Sequence, residues 1–265
     1  MNPFLEAAIA MCEEAGAIHA RYLHQEQVIS EKGVGDLVTE VDRRAEAAII
    51  ERLRALFPDH AILAEESGRH AAGEDYIWYV DPLDGTTNYA HGFPAFCVSI
   101  ALLHRGRVEV AAVHAVALGE LFTAARGEGA WRNGRPIRVS RVPDIARSLV
   151  ATGFSPSVRE DGHNIAEFVA FLHRAQAVRR PGSAALDLAF VACGRLDGFW
   201  EYRLAPWDVA AGSLLVTEAG GVVTQIDGTA FDPAGRAILA SNGLVHEEMR
   251  QVLATTPNRH PHTVS

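Results

Sequence analysis

No stretch of about 18 or more apolar residues occurs in the chain, so no membrane-spanning helix is expected. The opening residues, Met1-Asn2-Pro3-Phe4-Leu5-Glu6, have neither a positive segment nor a long apolar run, which argues against a secretory signal. Cysteine is scarce. Cys12, Cys97 and Cys193 are far apart and odd in number, so they make no metal-spacing motif and no disulfide framework. Each sits in an apolar run, the setting of a small buried core residue. These absences point to a reducing, cytoplasmic home. Basic residues are in deficit, with 24 lysines and arginines against 33 acids and a formal net charge of −9. No basic run stands out, so nucleic acid is not expected as the main partner. Internal repeats and low-complexity linkers are absent as well.

What is present is ordinary globular composition: 265 residues, 48% hydrophobic and 22% charged. That supports a sizeable core in one large domain or two small ones. From Pro3 to about His24 the apolar residues fall on one helical face, with His19 and His24 expected in solvent. Val28-Ile29-Ser30 reads as a short strand, then comes a glycine-rich loop over residues 31–36, then a helix that runs to about Leu56 before Pro58. Residues 61–64 and 76–80 read as buried strands. Pro82, with a fixed φ and no N–H, is expected to end the second. Residues 95–125 read as a three-stranded meander and 127–134 as a hairpin. His104 and His114, in or beside those strands, read as structural. The second half alternates short strands at 149–152, 177–178, 196–201, 222–224 and 237–240 with helices near 162–175, 183–193, 206–219 and 244–253. Pro206 opens the third of these helices and Gly220-Gly221 closes it. Residues 255–265 read as a polar, frayed tail.

The chemistry gathers where apolar runs end in acids. Tyr76-Ile77-Trp78-Tyr79-Val80 leads into Asp81-Pro82-Leu83-Asp84-Gly85-Thr86. The two carboxylates offer oxygens to a hard cation such as Mg²⁺, and the glycine turn frees N–H groups for a phosphate. Alone, the pair could equally cap a turn or a helix. Ala61-Ile62-Leu63-Ala64 ends in the same way, in Glu65-Glu66-Ser67, and the parallel suggests that Glu65 points to the same place. Asp208 falls in the first turn of its helix, where the dipole favours a carboxylate by a few tenths to about 1 kcal/mol. It could also complete a ligand set with Glu65, Asp81 and Asp84. Four converging carboxylates would repel and raise one another's pKa, and divalent cations would relieve this.

Asp81-Pro82-Leu83-Asp84-Gly85-Thr86, Trp207-Asp208-Val209-Ala210-Ala211-Gly212 and Glu218-Ala219-Gly220-Gly221 together resemble the motifs of the inositol monophosphatase family, of the bacterial type. Gly35-Asp36-Leu37-Val38-Thr39-Glu40-Val41-Asp42 resembles its N-terminal motif, and Ala64-Glu65-Glu66-Ser67 its glutamate motif. The order and spacing agree from about residue 5 to 255. The family is Mg²⁺-dependent and Li⁺-inhibited. The resemblance implies an α/β (α+β) fold, a layered αβαβα sandwich, and a homodimer. It implies one domain over 1–265, with an α+β half to about 145, an α/β half over about 146–256 and a frayed end at 257–265. Glu65, Asp81 and the Leu83 carbonyl would hold one Mg²⁺. Asp81, Asp84 and Asp208 would hold a second, and Glu65 would help with a weaker third. Thr86 with Asp42 would position and activate the attacking water, with Glu65 beside them. The N–H groups of Gly85 and Thr86 would bind phosphate, and Lys32 matches a loop lysine. No cysteine or serine nucleophile is needed, so direct in-line attack by water is expected.

The substrate implied is a small phosphate monoester. Asn88-Tyr89-Ala90-His91-Gly92-Phe93-Pro94 resembles the inositol-type members, and Gly182-Ser183-Ala184 matches a loop that touches the inositol ring. Glu201, seven residues before Asp208, stands where those members place an acceptor for inositol hydroxyls, with Asp84 and Asp208 also facing the substrate. The expectation is hydrolysis of inositol-1-phosphate. Histidinol phosphate, fructose-1,6-bisphosphate and phosphoadenosine phosphate are the alternatives within the family. A protein-binding or regulatory role on the same fold is the alternative outside it.

Overall fold

The computed structural model describes residues 2–23, 25, 29–33, 36–70 and 73–256, and only the backbone of those within 29–38. Helix α1 (Pro3–Tyr22) starts where Asn2 accepts a hydrogen bond from the Phe4 N–H at 3.0 Å, with proline in the first turn. A hairpin of β1 (Ile29–Gly33) and β2 (Asp36–Thr39) leads into α2 (Glu40–Leu56). Then follow β3 (Ala61–Ala64), β4 (Gly68–His70), β5 (Tyr76–Asp84), α3 (Thr86–Ala90), β6 (Cys97–His104), β7 (Arg107–Ala115), β8 (Glu120–Ala125), β9 (Gly129–Arg132) and β10 (Arg135–Pro136). The second half runs β11 (Leu149–Thr152), α4 (Val158–Asp161), α5 (Ile165–Leu172), β12 (Ala177–Arg179), α6 (Ala184–Ala192), β13 (Gly198–Tyr202), α7 (Pro206–Glu218), β14 (Val222–Thr224), β15 (Ala237–Ser241) and α8 (His246–Thr255).

The strands build an eight-stranded sheet in the order β10-β9-β8-β7-β6-β5-β3-β4 and a five-stranded sheet in the order β12-β11-β13-β15-β14. Side-chain alternation along β5 sorts the layers. Trp78 and Val80 face α1 and α2, packing with Met11, Ile49 and Leu53. Tyr79, between them in sequence, faces the opposite way, into the core shared with Leu186 of α6 and Leu214 of α7. That central core also holds Phe199 and Ile238 from the five-stranded sheet. Trp200 and Leu239, one residue on, face outward against Phe171 of α5 and Met249 of α8. The layers are helices, sheet, helices, sheet, helices: the αβαβα sandwich expected from the resemblance.

Three local expectations are corrected. Pro82 does not end β5. The strand continues to Asp84, with a register shift in which Asp81 faces Ser99 and Asp84 faces Cys97 on β6. Inside such a bulge the missing proline N–H costs no ladder bond. The loop over 31–36 is largely hairpin, its two strands pairing Ile29 with Thr39 and Glu31 with Leu37; Val28 and Gly35 lie outside the described residues. His19 is fully buried rather than solvated, because its ring sits against Tyr89 and Phe96 and its Nε2 donates to the Pro82 carbonyl at 2.9 Å. His24 and the tail at 257–265 lie outside the described residues. Cys12 and Cys97 are buried, whereas Cys193 is half-buried. No described helix is long and apolar enough to cross a membrane.

Candidate active site

β3 and β5 are parallel neighbours, and the ladder carries on one step past β3, where the Glu65 N–H donates to the Val80 carbonyl at 3.2 Å. Glu65 is thereby set beside Asp81. Asp81 is buried, and its Oδ1 accepts the Leu83 N–H at 3.0 Å. This bond closes the turn through Pro82. Asp84 Oδ2 accepts from Ser183 Oγ at 2.8 Å and from the Ala185 N–H at 2.7 Å, which ties the β5 bulge to the start of α6. Gly85 then turns the chain with φ at 89°, and a Cβ there would stand 2.8 Å from the Ala95 carbonyl oxygen. Both the conformation and the space call for glycine.

Asp42 shows how local capping builds chemistry. It is the third residue of α2, and its Oδ2 accepts from the N–H of Thr39 at 2.8 Å and its Oγ1 at 2.5 Å. Thr39 in turn accepts from the Val41 N–H at 3.1 Å. The reciprocal cap fixes the carboxylate. Its free Oδ1 accepts from Thr86 Oγ1 at 2.9 Å, and Thr86 also reaches the Leu83 carbonyl at 3.0 Å. Burial raises the Asp42 pKa, opposed by the bonds from Thr39 and Thr86.

The second half closes the site. Asp208 Oδ2 accepts the Ala205 N–H at 2.7 Å in the first turn of α7. That turn is pinned to the first sheet by Ser99, opposite Asp81, whose Oγ donates to the Trp207 carbonyl at 3.3 Å. A cavity of about 450 Å³ is lined by Asp84, Thr86, Asp208, Glu201 and the Gly182-Ser183-Ala184 turn, among others. Glu201, on β13, is held well above the usual carboxylate range by burial, then by Asp208 and Asp84. Asp84 is pushed up to about 6 by burial, against its hydrogen bonds. Asp81 is held well above the usual carboxylate range by burial, then by Glu65, Asp84 and Asp208.

The sequence profile described as the inositol monophosphatase family matches residues 1–260. The chain belongs to the inositol monophosphatase family. An inositol-1-monophosphatase from Synechocystis is 48% identical over 260 residues, covering 97% of this chain and 91% of that one. A Nus factor SuhB from Pseudomonas aeruginosa is 45% identical over 237 residues, covering 86% and 88%. Among solved structures, the inositol monophosphatase from Anabaena superposes with a TM-score of 0.88 at 46% identity, covering 96% of each chain.

This inositol monophosphatase family member is therefore a phosphatase, and its family is generally Mg²⁺-dependent. The donor set fits that ion. Asp81 is buried among acids, and the charges that act on it most are all negative, so hard oxygens converge where a dication would relieve them. Among the described residues no three His, Cys, Asp or Glu side chains form a ready-made cage. Asp84 and Asp208 each have one oxygen engaged by a backbone N–H.

Of the residues singled out in the sequence, Asp84, Gly85, Thr86, Gly182, Ser183, Ala184, Glu201 and Asp208 share the cavity. Asp42 joins through Thr86, and Asp81 lies beneath, beside the Glu65 carboxylate. Glu65 itself opens onto a different hollow, between α2 and the turn before β4. Lys32 lies on β1, and its side chain is outside the description. Asn88, named in the sequence only as the start of a substrate-type motif, also lines the cavity, and three further residues at the site were not singled out. Asn88 Nδ2 lies 2.6 Å from the Ala95 carbonyl and 2.8 Å from that of Pro181, joining α3 to the Gly182 turn. Arg180 and Gly153 line the cavity. Asp187 on α6 is 1% exposed with neither carboxylate oxygen partnered, and burial and then Glu201 raise its pKa. An acid four residues after Ser183, on an otherwise apolar helix, was the available signal for Asp187.

Proposed function

We propose that this phosphatase hydrolyses inositol-1-phosphate to inositol and phosphate in a Mg²⁺-dependent reaction. The observation that supports this most is Glu201. Its carboxylate borders the cavity that holds Asp84, Thr86 and Asp208, and no donor among the described residues bonds it. An acceptor left open beside a hydrolytic site suits a leaving group rich in hydroxyls.

In this reading Glu65, Asp81, Asp84, Asp208 and the Leu83 carbonyl hold two to three Mg²⁺ ions. When bound, Mg²⁺ supplies a lowered water pKa and stabilisation of the leaving oxygen. Thr86 accepts a hydrogen bond from the attacking water, and its own proton is directed at Asp42 Oδ1. Burial raises the pKa of Asp42, which moves it toward the range where a general base works near neutral pH. The N–H groups of Gly85 and Thr86 steady the phosphate, and Lys32 matches the loop lysine of the family. Gly182, Ser183, Ala184 and Glu201 orient the inositol. The protein acts as a cytoplasmic homodimer on a small phosphate monoester, and sedimentation would check the dimer.

Phosphate release from inositol-1-phosphate, histidinol phosphate, fructose-1,6-bisphosphate and phosphoadenosine phosphate tests the substrate. The first should be preferred, and Glu201→Gln should erase the preference while sparing the others. A preference for another ester would overturn the substrate reading. A second reading rests on the relatives named Nus factor SuhB, 45% identical to this chain. In it the fold also serves a protein-binding, regulatory role. A cell deleted for the chain and rescued by inactive Asp84→Asn would favour that role; rescue by the active protein alone would oppose it.

A further inference from the structure

Gly153 follows β11 and lines the cavity beside Glu201. Its backbone is not among those in the left-handed region, so conformation does not call for glycine there. Space does. A Cβ built on Gly153 would fall well inside 3.0 Å of Glu201 Cδ and of both carboxylate oxygens. Because all three atoms are about equally close, the carboxyl group lies face-on over the Gly153 Cα. Any side chain at 153 must displace one of the two.

The backbone at Gly153 is fastened. Its carbonyl accepts from Asn164 Nδ2 at 2.9 Å, and the same amide reaches Thr152 Oγ1 at 2.8 Å. Asn164 Oδ1 accepts from Trp200 Nε1 at 2.7 Å, and Thr152 Oγ1 donates to the Trp200 carbonyl at 2.6 Å. Thr152 and Trp200 are also paired across β11 and β13. Thr152, Asn164 and Trp200 are all buried, so breaking this node would leave polar groups unpaired away from water. The Glu201 carboxylate has no such bonds, so it is the side that yields.

We propose that Gly153 is a positioning residue that sets selectivity for polyol leaving groups by seating the Glu201 carboxylate against its bare Cα. This rests on the reading of Glu201 as the polyol acceptor. The test compares inositol-1-phosphate with 4-nitrophenyl phosphate, an ester without ring hydroxyls, in Gly153→Ala, Glu201→Ala and the double variant. Gly153→Ala should raise KM for inositol-1-phosphate by ~10- to 100-fold with kcat little changed, as misplacement of a contact by about 1 Å does. It should leave 4-nitrophenyl phosphate untouched. In the Glu201→Ala background the glycine substitution should add little, because the three atoms nearest its Cβ are gone. If Gly153→Ala melts early, the double variant should regain the wild-type melting temperature. Equal losses on both esters, or the same loss with and without the Glu201 carboxylate, would overturn the proposal. If Glu201→Ala leaves the ester preference intact, the underlying reading has failed and this inference with it. If Glu201→Ala loses the preference while Gly153→Ala keeps it, this inference fails alone.

Discussion

Thr86 has one hydroxyl proton and two acceptors in reach, Asp42 Oδ1 and the Leu83 carbonyl. Its lone pairs stay open to a water. Thr86→Val keeps the shape and removes the hydroxyl, and a relay of this kind is worth about 100- to 10,000-fold. We expect kcat to fall within that range with KM little changed, measured by steady-state phosphate release, and Thr86→Ser to retain most activity. His19 makes a different prediction. A carbonyl only accepts, so the His19 proton is on Nε2, and Nδ1 is left buried without a partner. Burial lowers its pKa from 6.5 to about 4. A group depressed in this way stays neutral in the folded protein while the unfolded chain takes up a proton below pH 6.5. Stability is therefore lost as pH falls from about 6.5 to 4, by about 3 kcal/mol from this one residue. Denaturant unfolding at pH 7, 5.5 and 4 should show a steeper fall for wild type than for His19→Phe. Parallel curves would contradict it. Lys32 is the single lysine among 24 lysine and arginine residues, a choice of a compact ammonium where the chain otherwise uses guanidinium.

At the scale of elements, one threonine does two jobs. Thr39 caps α2 and fixes the carboxylate that holds Thr86. Thr39→Ala should cost about 1 kcal/mol as a lost cap, a fall of about 2–4 °C in melting temperature for a chain of this size. It should also lower kcat, and Thr39→Ser should restore both. Equal behaviour of the two variants would separate cap from site. The elements themselves were largely legible. The continuous apolar run Tyr76–Val80 and the helical face of Leu5, Ala8 and Cys12 carry the layers, because burial leaves its mark in sequence. The β5 bulge was not legible, since a proline reads as a stop until the partner strand shows that no bond was needed there. The five-residue α3 was too short for any period to appear. Asp84, Glu65 and Asp208 were legible because acids after apolar runs stand out. Gly153 and Asn164 were not, because their roles depend on which residue of β13 lies opposite Thr152.

For the whole molecule, the site is a seam. The eight-stranded half brings Glu65, Asp81, Asp84 and Thr86, and the five-stranded half brings Ser183, Glu201 and Asp208. α6 and α7 fill the layer between the sheets, so the two halves are held in register by the central core. In the proposed reading the first half carries the phosphate chemistry, joined by Asp208 as a metal ligand from the second, and the rest of the second half recognises the leaving group. With a net charge of −9, cation binding at the seam would, in the proposed reading, offset the repulsion of an anionic substrate. The direct test of this account is phosphate release from inositol-1-phosphate by wild type and Asp84→Asn, each with Mg²⁺ and after its removal by chelation, with melting curves to confirm folding. Wild type should work only with Mg²⁺, and Asp84→Asn should fold and lose activity by about 100-fold or more. Release that persists without Mg²⁺, or a folded Asp84→Asn at the wild-type rate, would contradict it.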